Sequence, residues 1–176
     1  MPSTVRRALT GAVLAVVLLA GCSSGPSAQQ WATQVCAALA PWRAAITELN
    51  RQASEQMAAA TTVAQTRTNL IALVDGARDA SETARAGVVA AGVPDVDGGA
   101  EVAQRFQAAL TATRDAYAAA AAELSALSVD DETRFYDGVV EVLGRLTTRY
   151  QQAGEELAGL SSTEVRAAFD AIPECR

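Results

Sequence analysis

Apolar side chains return every three or four residues along almost the whole chain after residue 30, and no stretch alternates with period two. That step places them on one face of a helix, so such a chain can bury them only by packing helix against helix. Trp31, Val35, Leu39, Trp42, Ile46, Leu49, Ala53 and Met57 form the first seam and predict a helix over residues 28–58. Pro41 lies inside it, cannot donate to the carbonyl of Ala37, and should kink or divide the helix. Thr62 and Gln65 have the spacing of a capping box and open a second helix. Its seam is Val63, Leu70, Val74, Ala77, Ser81, Ala84, Val88 and Ala91, and it stops at Gly92-Val93-Pro94.

A third helix over residues 99–127 carries Val102, Phe106, Leu110, Thr113, Tyr117, Ala120, Leu124 and Leu127. The fourth, over residues 130–158, carries Phe135, Val139, Val142, Leu146, Tyr150, Ala153 and Leu157. Four long amphipathic segments with short links predict an all-α, antiparallel, up-down-up-down four-helix bundle. A short fifth helix is expected from a box at Ser161-Ser-Thr-Glu164, burying Val165, Phe169 and Ile172 and ending before Pro173. The second seam is made of small residues, which let helix axes approach closely but bury little apolar area each. The run of Ala from 118 to 122 continues the third helix, because Ala has the highest helix propensity.

Composition narrows the chemistry. The chain has no His, and all 14 of its basic residues are Arg. The commonest general base, the commonest metal ligand and the Schiff-base amine are therefore missing, and the expectation is a protein that is not an enzyme and uses no cofactor or metal. A net charge of −6 also argues against nucleic acid as a partner, since phosphate binding needs clustered positive charge.

The first 22 residues read as an address. Arg6 and Arg7 precede an apolar run over residues 8–20, followed by Gly21 and Cys22. Thirteen helical residues reach about 20 Å, short of a hydrocarbon core of about 30 Å, so the run suits a secretory signal better than a membrane span. Arg6-Arg7 invites a twin-arginine export reading, but ordinary unfolded export fits the segment better. Leu19-Ala20-Gly21-Cys22 resembles the lipobox of bacterial membrane lipoproteins: a branched apolar residue, two small residues and the cysteine that is modified. The resemblance implies cleavage between Gly21 and Cys22 and acylation of Cys22, leaving the protein anchored on the extracytoplasmic face of the cell membrane. Residues 1–21 are then a signal peptide, residues 22–30 an acylated Cys with a flexible tether, and residues 31–176 the bundle domain. Without Arg6 and Arg7 the chain carries 12 Arg against 20 acids, a net of −8, so attachment must come from acyl chains and not from a basic face. All-Arg usage with abundant Ala points to a GC-rich genome, such as that of an actinobacterium with small helical lipoproteins of this kind.

With Cys22 acylated, Cys36 and Cys175 are the thiols left, and export places them in an oxidising compartment where pairs persist. Their distance along the chain argues against a redox pair, which has C-x-x-C spacing. The up-down topology returns the end of helix four to the start of helix one, which carries Cys175 toward Cys36 and predicts a disulfide clasp.

Other constellations reduce to structure. Pro94-Asp-Val-Asp97-Gly-Gly-Ala-Glu101 alternates acids like a calcium loop, but Gly99, Ala100 and Phe106 stand where an EF-hand starting at Asp95 needs an oxygen ligand, Gly and Glu. Asp130-Asp131-Glu132 suits the start of helix four better than an acid pair for catalysis. Ser161 and Ser162 have no His to activate them. Trp31, Trp42, Tyr117, Tyr136 and Tyr150 are bulky rings in an Ala-rich body; most read as core fillers, and the functional alternative makes them the candidate ligand or contact surface. Because Phe135 occupies the seam, Tyr136 is expected to be exposed. The expectation for function is a lipid-anchored cell-envelope protein acting as a non-catalytic binding or protein-interaction module of unknown specificity, with an envelope protein or a small apolar ligand as its partner. The alternative is a carrier or sensor of a small apolar ligand, which would need an internal cavity of several hundred Å3.

Overall fold

Five α-helices in the order α1 (Ala28–Ala59), α2 (Val63–Ala90), α3 (Gly99–Ala126), α4 (Glu132–Ala158) and α5 (Thr163–Asp170) build the protein, and a 3-10 turn at Pro173–Cys175 follows them. The computed structural model describes residues 25–158 and 162–175, so the signal segment, the lipobox through Cys22 and Ser161 lie outside the described residues. Among the described residues there is no strand. Backbones pack closely in the pairs α1–α2, α2–α3 and α3–α4, with α5 against α1. The all-α, antiparallel bundle with a short fifth helix is thus the observed architecture.

The helix ends follow from their capping residues. Ser27 accepts from the Gln30 amide while the Gln30 side chain accepts from the Ser27 amide, a full capping box that starts α1. Thr62 accepts from the Gln65 amide, but the Gln65 side chain takes the amide of Thr61 and not of Thr62, so the expected box is only half formed. Asp131 Oδ1 accepts from the Arg134 amide at 3.0 Å and caps α4, which therefore begins at Glu132 and not at Asp130. Ser162 caps α5 by accepting from the Val165 amide. Pro41 sits inside α1 without dividing it.

The expected tether also ends earlier than residue 30. Residues 28–30 already belong to α1, and the Asp95 amide donates to the Pro26 carbonyl at 2.8 Å, tying the approach to α1 onto the α2–α3 connection.

Two cores lie at opposite ends of the bundle. One gathers Trp31 and Val35 of α1, Ala84 and Val88 of α2, Val102, Phe106 and Leu110 of α3, and Val165 of α5. The other gathers Leu70 and Val74 of α2, Ala120 and Leu124 of α3, and Phe135, Val139 and Val142 of α4. Early α1 beside late α2 and early α3, with early α2 beside late α3 and early α4, is the signature of alternating helix direction. Small residues set the helix spacing: a Cβ on Gly87 would lie 2.6 Å from the Cβ of Ala38, so α1 and α2 touch almost backbone to backbone there. Gly92 ends α2 in the left-handed region, at φ 74°, which Gly adopts at no steric cost.

Cys36 and Cys175 form a disulfide across 139 residues, with Cα atoms 5.3 Å apart. Around it Ala28, Ala32, Cys36, Ala168 and Ile172 are buried together. Removing a native clasp of this span should cost about 2–5 kcal/mol. Cys36→Ala should lower the urea midpoint accordingly, and a midpoint equal to that of the wild type would show that packing alone holds α5.

Ion pairs tie the outer faces. Arg114 of α3 bonds Glu82 of α2 at 2.9 Å, and Glu123 of α3 takes Arg145 and Arg149 of α4. Hydrogen bonds from Arg85 and Arg114 lower the Glu82 carboxyl from 4.5 to about 2. A carboxylate depressed in the folded state contributes stability above its unfolded value and loses it as pH falls toward the folded one. Melting temperature should therefore fall between about pH 4.5 and pH 2, and Glu82→Gln should flatten part of that fall. An identical acid limb in E82Q would show that this bridge carries none of it.

Candidate functional site

The five aromatic residues expected to form a contact surface do not share one environment. Trp31 is wholly buried, and its indole Nε1 donates to the Gly92 carbonyl at 2.9 Å. Its ring meets Phe106 edge-on at 5.3 Å and Phe169 at 5.9 Å, while Phe106 and Phe169 stack at 5.5 Å. Trp31 is therefore a core anchor with no ligand-facing surface, which corrects its place in the expected set. Tyr117 is half-buried against the second core, and burial holds its phenol above the ordinary value, with Tyr150 adding to the effect.

Tyr150 departs from its expected position. The period places it in the inner seam of α4, yet it is 44% exposed. The reason lies in the pairing of the helices, because α1 and α4 are not among the closely packed pairs, so this part of the seam has no backbone against it. Tyr136 is 43% exposed, as its position beside Phe135 predicts, and its ring meets that of Phe135 edge-on at 5.3 Å. Val140 at 71% and Leu143 are exposed as well. Tyr136, Val140, Leu143 and Tyr150 follow at steps of four, three and seven, which sets them along one flank of α4. Val140 and Leu143 carry no aromatic or polar cue, and only their offset from the seam could have marked them.

Where α1 and α4 stay apart a groove opens, holding about 130 Å3 and lined by Leu39 and Trp42 of α1, Phe106 and Thr113 of α3, and Tyr150 and Leu157 of α4, among others. It is smaller than the several hundred Å3 expected of a carrier. The Trp42 indole donates to Ser81 Oγ at 3.1 Å, and that hydroxyl donates to the Ala77 carbonyl at 2.8 Å, so the Trp42 ring is fixed in the groove wall by α2. Among the described residues no group of three His, Cys, Asp or Glu side chains converges to hold a metal, and no helix is long and apolar enough to cross a membrane. Asp95 and Asp97 lie in a turn that leads into α3, and Glu101 pairs with Arg105 one turn on. The acids at 130–132 serve the α4 start, where Ser128 also donates to Asp130.

No family model, curated protein or solved structure matches this chain.

Truncation separates the two aromatic environments. Trp31→Ala should cost about 3–5 kcal/mol, as loss of a fully buried ring does, whereas Val140→Ala should stay within about 0.5 kcal/mol. Equal losses in chemical denaturation would contradict the assignment of Trp31 to the core and Val140 to the surface.

Proposed function

We propose that this protein is a lipid-anchored binding module of the bacterial cell envelope, without catalysis, which engages a protein partner through the exposed flank of α4. The observation that supports this reading is the line Tyr136, Val140, Leu143 and Tyr150 on a helix with little against that side. Large apolar side chains grouped on a surface mark contact sites, whereas single scattered ones do not.

The lipobox-like Leu19-Ala20-Gly21-Cys22 supplies the anchor in this reading. From Cys22 to Gly25 the chain can span no more than about 11 Å, so the α2–α3 end of the bundle stands next to the bilayer and the flank of α4 rises from it. Two or three acyl chains hold a protein firmly where one binds only marginally.

Cells grown on alkyne-palmitate should label the wild type and leave Cys22→Ala unlabelled, and label surviving in C22A would remove the anchor. A photo-crosslinker at position 140 should give a discrete adduct in native membranes. The same group in place of Arg134, whose side chain is 87% exposed on the other side of α4, should give none. Equal adducts from both positions would remove the flank as the binding surface.

A further inference from the structure

The groove beside that flank carries one polar group out of keeping with its walls. Thr113 is only 6% exposed, and its hydroxyl makes no hydrogen bond among the described residues. Other helical threonines here, such as Thr111, bond the carbonyl four residues back at 2.8 Å. Every described side-chain N or O that is wholly enclosed does have a partner. The Thr113 oxygen must therefore keep accessible surface, and the space that Thr113 borders is the groove.

That hydroxyl has no protein partner among the described residues and faces the open groove, so it is a donor and acceptor that a ligand oxygen can bond in place of water. The geometry points to a binding site for a small neutral molecule of one aromatic ring bearing one oxygen, its ring among Trp42, Phe106 and Tyr150 and its oxygen on Thr113. This rests on the reading of the protein as a binding module and assigns a ligand class to the inner part of the same side.

Three observations set the class. The volume of about 130 Å3 suits a single ring, since an apolar cavity of about 150 Å3 takes up benzene. The walls present ring faces and edges, which favour an aromatic guest over an aliphatic one. No Asp, Glu or Arg is among the described residues lining the groove, so a charged ligand would be left without a counter-ion. The Thr hydroxyl both donates and accepts, and it accommodates an alcohol or a carbonyl equally. Such a site is the small-ligand alternative in reduced size: one ring and one oxygen instead of a lipid.

Titration of the full-length protein with benzyl alcohol and with toluene, followed by indole N–H resonances, tests the assignment. The chain has two Trp residues, and Trp31, sealed in the core, is the internal control. Benzyl alcohol should shift the Trp42 signal saturably and leave that of Trp31 in place. Thr113→Val keeps the shape and removes the hydroxyl, so it should weaken benzyl alcohol about three- to tenfold and change toluene by less than about twofold. Both proteins are compared in the same detergent, which cancels partition into micelles.

No saturable shift of Trp42 with either compound would overturn the site. Saturation with equal affinities in the wild type and T113V would overturn the oxygen-bearing class. A crosslink from position 140 that persists while these titrations fail would leave the binding-module reading standing and remove the groove ligand alone. The reverse result would keep the groove and remove the flank.

Discussion

Trp31 is the side chain on which one end of this protein converges. Its ring lies between Phe106 of α3 and Phe169 of α5, and its N–H donates to the Gly92 carbonyl just past the end of α2. One residue of α1 thereby touches the other three elements that meet there. The seams elsewhere are rich in Ala, Gly and Ser, which bring backbones close but remove little apolar surface from water per residue. Large rings concentrate the burial that small residues cannot supply. An eight-residue helix has no independent stability in water, so α5 exists because Phe169 and Val165 dock on this cluster and Cys175 is tied to Cys36.

The two cores explain why a bundle of this kind tolerates an open side. Each end closes by itself, one around Trp31 with α5, the other around Phe135 and Leu124. α1 and α4 are not closely packed, and the groove opens beside the first core, whose Phe106 and Leu110 line it. A closed four-helix bundle would fill the space with a fourth seam. Here Trp42 fills part of it, with its indole turned to Ser81 and not to α4.

Much of this was legible in the sequence because it is local. Period, caps and breakers set each helix to within about two residues, and two distant cysteines with an up-down topology predicted the clasp. Ser27 and Gln30 form a box with the same spacing as Thr62 and Gln65, a cue equally present in the sequence. What the pattern could not supply was the partner of each seam. Tyr150 follows Leu146 at the four-residue step of the seam, but that step says only that residues lie near one face, not that another helix covers it. Thr113 shows the same limit. It reads as a seam residue and is buried as one, while the state of its hydroxyl depends on a χ1 rotamer and on the space that α1 and α4 leave beside it.

The clasp has a further consequence, for proteolysis. The bond between Cys36 and Cys175 makes all the residues between them a covalent ring. A protease that cuts one exposed connection, such as the stretch around Ala60 and Thr61, opens that ring without releasing a fragment. Two cuts are needed to lose a piece. Within the ring, a single nick leaves every helix attached, a useful property for a chain with little apolar area to hold its parts together.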